Sequence, residues 1–302
     1  MTIIAGFRCH DGVVICGDTQ ETVQNLSKKN VTKVRLEQRY GDVSDLAVAF
    51  CGAGEGPFID LLTRKAWESA RGADYLEEAS QKIEDSIKYT YQEYGQIYQP
   101  GHCPSVELIY GVKMHGDSAL FSALEPVVNG VDNFKSGGIG YYMADFLSAR
   151  MNNGYMSLHQ YAILSAYILF QAKEHVDGCG GDSHVAVLRN DGHSGLIDQQ
   201  RIKSWTALLE RADKSLGRVL IESANLQSDA SLIKAIDSLS RPLMVAWERA
   251  REQIRDGDEF SDIWESLAVP SNTLEAVMRP AIKRDEFGFV MPSDIQTSEN
   301  QQ

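Results

Sequence analysis

Short β-branched runs and longer amphipathic stretches alternate along the first two thirds of the chain, and their different hydrophobic periods separate predicted strands from predicted helices. "TIIAGFRC" and "GVVICGD" are apolar runs joined at Asp11-Gly12, a dipeptide that favours a tight turn, so the chain opens on a β-hairpin. "TKVRLE" and "DLAVAFCG" read as the next two strands, the second breaking at Gly52, Ala53 and Gly54. Pro57 then sits where a first helical turn tolerates proline, and Phe58, Leu61, Leu62, Ala66 and Ala70 keep helical spacing. A second helix begins at Asp74 with Glu77 three residues on, the pattern of a capping box, and carries Leu76, Ile83, Ile87, Tyr91 and Tyr94 on one face.

Strands return in "SVELIYGV" and "SALFSALEP", helices follow at 142–152 and 157–173, and "SHVAVLRND" is again a strand. Sheet, helix pair, sheet, helix pair, sheet is an order that suits two stacked sheets with helices on their outer faces better than a strictly alternating parallel sheet. The expected class is therefore α+β, a four-layer αββα sandwich over residues 1–195. From 196 to 302 the pattern turns to helix only, through "IDQQRIKSWTALLERADKSL" and "DASLIKAIDSLSRPLMVAWERAREQI", and predicts a helical C-terminal extension. Trp205, Leu208, Leu209, Leu243 and Trp247 read there as ordinary helix packing.

Length and charge narrow the function classes. A chain of 302 residues has room for a substantial core, and 43% hydrophobic with 24% charged residues is the balance of a globular protein. A formal net charge of −13 argues against nucleic acid or an anionic membrane as partner, since both demand a basic surface. The five cysteines (Cys9, Cys16, Cys51, Cys103, Cys179) form no CxxC pair, so reduced thiols are expected. Arg8, His10, Asp11 and Asp18 interrupt any apolar signal core, and "YAILSAYILF" is far shorter than the ~20 residues of a membrane span, which points to the cytoplasm.

The chemistry concentrates at the N-terminus. Removal of Met1 would leave Thr2 with a hydroxyl and a free α-amine, so one residue would hold both nucleophile and base. An α-amine titrates near ~8, close to a neutral working pH. The string "TIIAGFRCHDGVVICGDTQET" followed by "NVTKV" resembles the proteasome β-subunit and the bacterial HslV protease, members of the N-terminal-nucleophile (Ntn) hydrolases. The resemblance lies in the order Thr, "DGVVI", small-Gly-Asp, Thr, then Lys-Val.

That resemblance implies Thr2 as nucleophile, Asp18 as the acid that pairs with the catalytic lysine, Lys33 as that lysine, and Gly52 as the oxyanion-hole donor through its backbone N–H. An ammonium beside the nucleophile lowers its proton affinity, an adjacent carboxylate orients the ammonium, and a fixed donor for the oxyanion is worth roughly 2.7–4 kcal/mol. Ser136, in "KSGG", is implied as the serine that orients the amine of Thr2. Asp177, in "VDGCGG", is implied as the last acid of the network, with Cys179 where a serine is expected and Asp182 and Ser183 as the alternative pair. Thr22 is implied to pair its backbone with an extended substrate. Glu21 reads as either a selector of basic side chains or a solvated charge, and Phe50 as a pocket-lining residue or core.

The resemblance further implies a threonine endopeptidase acting on peptide or unfolded-protein substrates in a homo-oligomeric ring or stack, without a cofactor and without a catalytic metal. Whether an ATP-driven unfoldase feeds it stays open. Two other readings are carried: a catalytically silent scaffold subunit, and an amidase acting on a small amide. A metal site at His175, Cys179, Asp182 and His184 has no standard zinc spacing and is set aside.

Overall fold

The computed structural model describes residues 2–23, 27–39, 45–97, 103–152, 154, 156–191, 194–224 and 229–255. The first elements are β1 (Ile4–Cys9), β2 (Gly12–Asp18), β3 (Gln20–Val23), β4 (Ser27–Asn30), β5 (Val34–Arg39) and β6 (Leu46–Gly54). Helices α1 (Gly56–Ala70) and α2 (Leu76–Ile97) follow, then β7 (Val106–Met114), β8 (Asp117–Leu124), β9 (Val127–Val131) and β10 (Phe134–Gly137). The chain continues through α3 (Tyr141–Met151), α4 (Leu158–His175), β11 (Ser183–Arg189), β12 (Ser194–Leu196), α5 (Gln199–Ser223) and α6 (Asp229–Arg255). The fold is mixed α/β with antiparallel sheets: β10-β1-β2-β11-β12 form one, β5-β6-β7-β8-β9 the other, and β3-β4 a separate hairpin.

The central strands are apolar on both sides because both sides are covered. Every residue of β2 is buried, and so is every residue of β6 except Gly54, which is why "GVVICGD" and "LAVAFCGA" read as unbroken runs rather than as alternation. Ile4, Val13 and Ile15 of the first sheet pack against Ala47, Ala49, Cys51, Ile109 and Leu120 of the second, forming a core between the sheets. On the other face of the second sheet, Leu46, Val48, Phe50, Leu108 and Tyr110 meet Phe58, Leu62 and Ala66 of α1 and Ile83, Ile87 and Tyr91 of α2. Each fully buried Ile, Leu or Phe contributes about 1.5–3 kcal/mol through removal of its surface from water, so both clusters stabilise this unit.

Local signals place several helix ends. Pro57 falls in the first turn of α1, and Ser157 and Gln160 close a capping box at the start of α4. The expected box at Asp74 and Glu77 differs by one position: the Asp74 N–H is accepted by Glu78 at 2.9 Å, since α2 starts at Leu76. The first hairpin turns at His10 and Asp11, with Cys9 opposite Gly12, and the Asp11 carboxylate accepts the Leu158 N–H at 3.0 Å, tying that turn to the start of α4.

The chain divides into two compact units, Met1–Ser240 and Arg241–Gln302. In the first, α5 packs on α4: Tyr167 Oη donates to Asp213 at 2.9 Å and Gln171 Nε2 donates to the same carboxylate at 2.6 Å, while Trp205 is buried against His159. Of the second unit, residues 241–255 are described and all are helical, with Pro242 inside the helix. No helix among the described residues is long and apolar enough to cross a membrane.

Candidate active site

The end of β2 and the residue before β1 meet because the two strands are antiparallel, with Ile4 opposite Gly17. Asp18 therefore lies beside Thr2, and the segment that leads into β5 brings Lys33 onto both. The Thr2 hydroxyl donates to Asp18 Oδ1; Lys33 Nζ donates to Thr2 Oγ1 at 2.5 Å, to Asp18 Oδ1 at 2.8 Å and to the Gln20 carbonyl. An ammonium has three protons, and these three acceptors account for all of them. The group is sealed from solvent: Thr2 is 5% exposed, Asp18 0%, and the Lys33 side chain 9%.

Backbone donors hold the carboxylate from two sides. Ile3 N–H reaches Asp18 Oδ1 at 3.2 Å and Gly180 N–H reaches Oδ2 at 2.9 Å. The 180–182 turn is itself stitched to the strand end, with Gln20 N–H donating to the Gly180 carbonyl at 3.1 Å and Asp182 N–H donating to Thr19 Oγ1 at 2.7 Å. The Thr2 carbonyl accepts Gly140 N–H at 3.1 Å, and Gly138, at φ +75°, lies against it: an added Cβ there would stand 2.4 Å from Thr2 O. Only glycine adopts that backbone at that distance without strain.

Gly52 is the penultimate residue but one of β6, directly after Cys51, whose partner in β5 is Val34, the residue following Lys33. Cys51 Sγ lies next to Gly17, so this end of β6 runs beside the Gly17–Asp18 end of β2. The remaining expected residues are placed apart from the trio. Ser136 is opposite Ala5, three residues along the chain from Thr2, and its hydroxyl donates to Asp145 of α3 rather than to Thr2. Asp177 is exposed, and the turn reaches Asp18 through the Gly180 N–H instead.

Phe50 points into the core under α1 and α2, fully buried with its ring 5.9 Å from that of Tyr110, so it lines no pocket at Thr2. Glu21 pairs with Lys29 at 3.0 Å across the β3-β4 hairpin, and its carboxylate abuts Gly56 at the start of α1; it is no unpaired selector of cations. Thr22 stands opposite Lys28 in the same hairpin. Asp182 is exposed, while the buried Ser183 hydroxyl accepts from Lys173 at 2.8 Å. Met1, on which the free amine depends, lies outside the described residues, as does the side chain of Thr22.

Burial first, and the neighbouring Asp18 carboxylate second, push the Cys179 thiol up to about 12, so it is no thiolate at neutral pH. Burial likewise raises Cys51 well above the ordinary thiol range. Among the described residues no group of three or more His, Cys, Asp or Glu is placed to hold a metal ion. The contacts that sequence reading missed are backbone ones, from Gly138, Gly140 and Gly180. Their only trace in the sequence is the density of glycine in "SGGIG" and "GCGG".

No protein-family model and no curated protein matches the chain. Solved structures with the same fold include Anbu (ancestral β-subunit) from Yersinia bercovieri, with a TM-score of 0.59 and 12% identity over 75% of this chain and 98% of that one. Anbu from Hyphomicrobium sp. strain MC1 gives 0.57 and 14% over 76% and 99%, and the helical assembly of the Anbu complex from Pseudomonas aeruginosa gives the same TM-score, identity and coverage. At such identities the likeness shows the fold alone. It corrects the resemblance drawn from the N-terminal motif: these solved structures that share the fold are Anbu (ancestral β-subunit) proteins, not HslV.

Proposed function

We propose that this protein is a threonine-type N-terminal-nucleophile peptidase whose nucleophile is Thr2, exposed by removal of Met1. The observation that carries the reading is the sealed group of Thr2, Asp18 and Lys33, in which one hydroxyl oxygen faces both an ammonium and a carboxylate. A bare hydroxyl is a poor nucleophile, and a fixed ammonium 2.5 Å away stabilises the charge that grows on Oγ1 as it attacks.

The chemistry follows from the freed amine. Oγ1 attacks the peptide carbonyl while its proton passes to the α-amine of Thr2, and the C–O bond forms as the carbonyl electron pair moves to oxygen. The Gly52 N–H donates to that oxyanion. Collapse of the tetrahedral species breaks the C–N bond, the ammonium of Thr2 protonates the leaving amine, and an ester to Thr2 remains. Water, deprotonated by the amine, hydrolyses the ester and restores the hydroxyl. An extended peptide pairs with the backbone at Thr22 as an added strand.

The same reading takes residues 1–195 as a four-layer αββα Ntn domain and 196–302 as a helical extension, in a homo-oligomer of the cytoplasm. Two stacked sheets with helices against their outer faces support the layering. The helical assembly named for the Pseudomonas Anbu supports oligomerisation, and five free cysteines suit a reducing compartment.

Intact mass of the purified protein is the first test. Loss of the Met1 mass, followed by addition of one equivalent of a β-lactone or epoxyketone electrophile that disappears in Thr2→Ala, is the expected result. Retention of Met1 leaves the Thr2 nitrogen as an amide, removes the base, and hands the protein to the scaffold reading. Ser136 and Asp177 standing away from Thr2 is the observation that favours that second reading.

A further inference from the structure

We propose that Glu107 is a positioning residue for Thr2, acting through the glycine turn at 137–140. The effect on catalysis rests on the reading of Thr2 as nucleophile; the structural link does not. Glu107 is the one partly exposed position of β7, a strand otherwise buried throughout and flanked on both sides by β6 and β8. A carboxylate is disfavoured in such a central strand and needs a donor there.

The donor is the Gly138 N–H, which reaches Glu107 Oε2 at 2.9 Å. Cross-strand partners share a face, and Glu107 is opposite Ala53, a member of the core between the sheets. The side chain thus leaves the second sheet toward the first, where Gly137, opposite Ile4, ends β10. The fit is close on that side too: a Cβ added to Gly137 would meet the Glu107 carboxylate carbon at 2.4 Å and both oxygens within 2.7 Å.

On the far side of the turn, Gly138 presses on the Thr2 carbonyl and Gly140 donates to it. The path from Glu107 to the nucleophile is therefore one hydrogen bond, the glycine backbone that starts at Gly138 with φ +75°, and the Gly140 N–H bond to the Thr2 carbonyl. Glu107 sets how far the turn advances onto Thr2, and with it the direction of Oγ1 between Lys33 and a substrate. Solvent reaches the carboxylate, which lines a cavity of about 770 Å³ with Ser136, Tyr141 and Asp145. A partly hydrated hydrogen bond to a charged acceptor contributes less than a buried one, so a moderate effect is expected.

The test compares Glu107→Ala with Glu107→Gln, which keeps an acceptor oxygen for Gly138. Amide hydrogen exchange at Gly138 and Gly140 reads the link without any activity: about tenfold faster in Glu107→Ala and within about twofold of wild type in Glu107→Gln. The rate of Thr2 acylation by a β-lactone, followed by intact mass, falls about tenfold in the first variant and recovers in the second. Gly137→Ala supplies a route that does not depend on the stability of Glu107→Ala. It slows acylation in the wild-type background by displacing the carboxylate, keeps that effect with Glu107→Gln, whose side chain has the same size, and loses it with Glu107→Ala, where no side chain is left to displace, so Gly137→Ala and Glu107→Ala are non-additive.

Wild-type exchange in Glu107→Ala, a Glu107→Gln variant as fast-exchanging as Glu107→Ala, or strict additivity of Gly137→Ala with Glu107→Ala overturns the proposal. If the wild-type protein takes up no electrophile, the peptidase reading fails alone, and the exchange data still decide the role of Glu107.

Discussion

Gly180 donates its backbone N–H to Asp18 Oδ2 at 2.9 Å across 162 residues of sequence, so the carboxylate that orients Lys33 is held by the turn that leads into β11, the strand beside β2. With Ile3 N–H on the other oxygen, Asp18 is the point where three segments of the chain converge. Asp18→Asn removes the charge that balances a buried ammonium while keeping the side chain's shape. Leaving one member of a buried pair uncompensated costs about 3–5 kcal/mol. Urea denaturation of the variant is expected to show a loss of that order, together with Thr2 acylation at least about a hundredfold slower, equivalent to ~2.7 kcal/mol of barrier.

Gly138→Ala and Gly154→Ala separate backbone strain from contact with the nucleophile. Both glycines have positive φ, +75° and +77°, but an added Cβ meets Thr2 at the first and nothing within 4 Å at the second. Each substitution costs ~1–2 kcal/mol for the left-handed conformation. Only Gly138→Ala is expected to slow acylation of Thr2 as well, and equal rates in the two variants would remove the turn from the site.

Cys179 is a test of which atom is the nucleophile. With its thiol pushed up to about 12, the thiolate fraction at pH 7.5 is negligible, so iodoacetamide should modify it far more slowly than an exposed cysteine. Cys179→Ala is expected to retain electrophile uptake, whereas Thr2→Ala loses it. Uptake that follows Cys179 rather than Thr2 would sink the threonine mechanism.

Phe50→Ala is expected to destabilise by about 3–5 kcal/mol, the cost of truncating a buried aromatic, without altering preference among peptide substrates. A changed preference at equal stability would return Phe50 to the pocket.

His159 gives the α4–α5 contact an acid limit. Burial, and secondarily the Arg201 charge, lower its pKa to about 4 from an ordinary value near 6.5. Between those values the unfolded chain binds more protons than the native one, so stability falls as pH drops from about 6.5 to about 4. A melting scan over that window should show a steeper acid decline in wild type than in His159→Gln, by about 2–4 °C if ~1 kcal/mol is at stake.

The apolar strands and the helix positions were legible because burial on both faces leaves an unbroken apolar run, and burial on one leaves a periodic one. "GVVICGD", "LAVAFCGA" and the 58-62-66-70 stripe carried that information directly. The polar strands β3, β4 and β10 left no such mark, since "QETV", "SKKN" and "FKSG" contain no apolar run. Thr2, Asp18 and Lys33 were readable as a trio from type and order. Ser136, Phe50 and Glu21 were read from type and order as well, and each stands elsewhere because its face or its partner was set by register: Ser136 by Ala5, Phe50 by the side of β6 that meets α1 and α2, Glu21 by Lys29, while Asp177 lies exposed in the turn before β11.

The sequence by itself determined the long apolar strands and the amphipathic helices, since these depend on periodicity, and the resemblance of its N-terminal motif singled out Thr2, Asp18 and Lys33 by type and order. Only the tertiary structure decided what holds those groups: the Gly138 and Gly140 backbone on Thr2, the Gly180 N–H on Asp18, and Glu107 behind them. Those supports come from N–H groups and from residues more than thirty positions away, and a main-chain donor is the same in every residue but proline, so nothing in one-dimensional order distinguishes the one that is used.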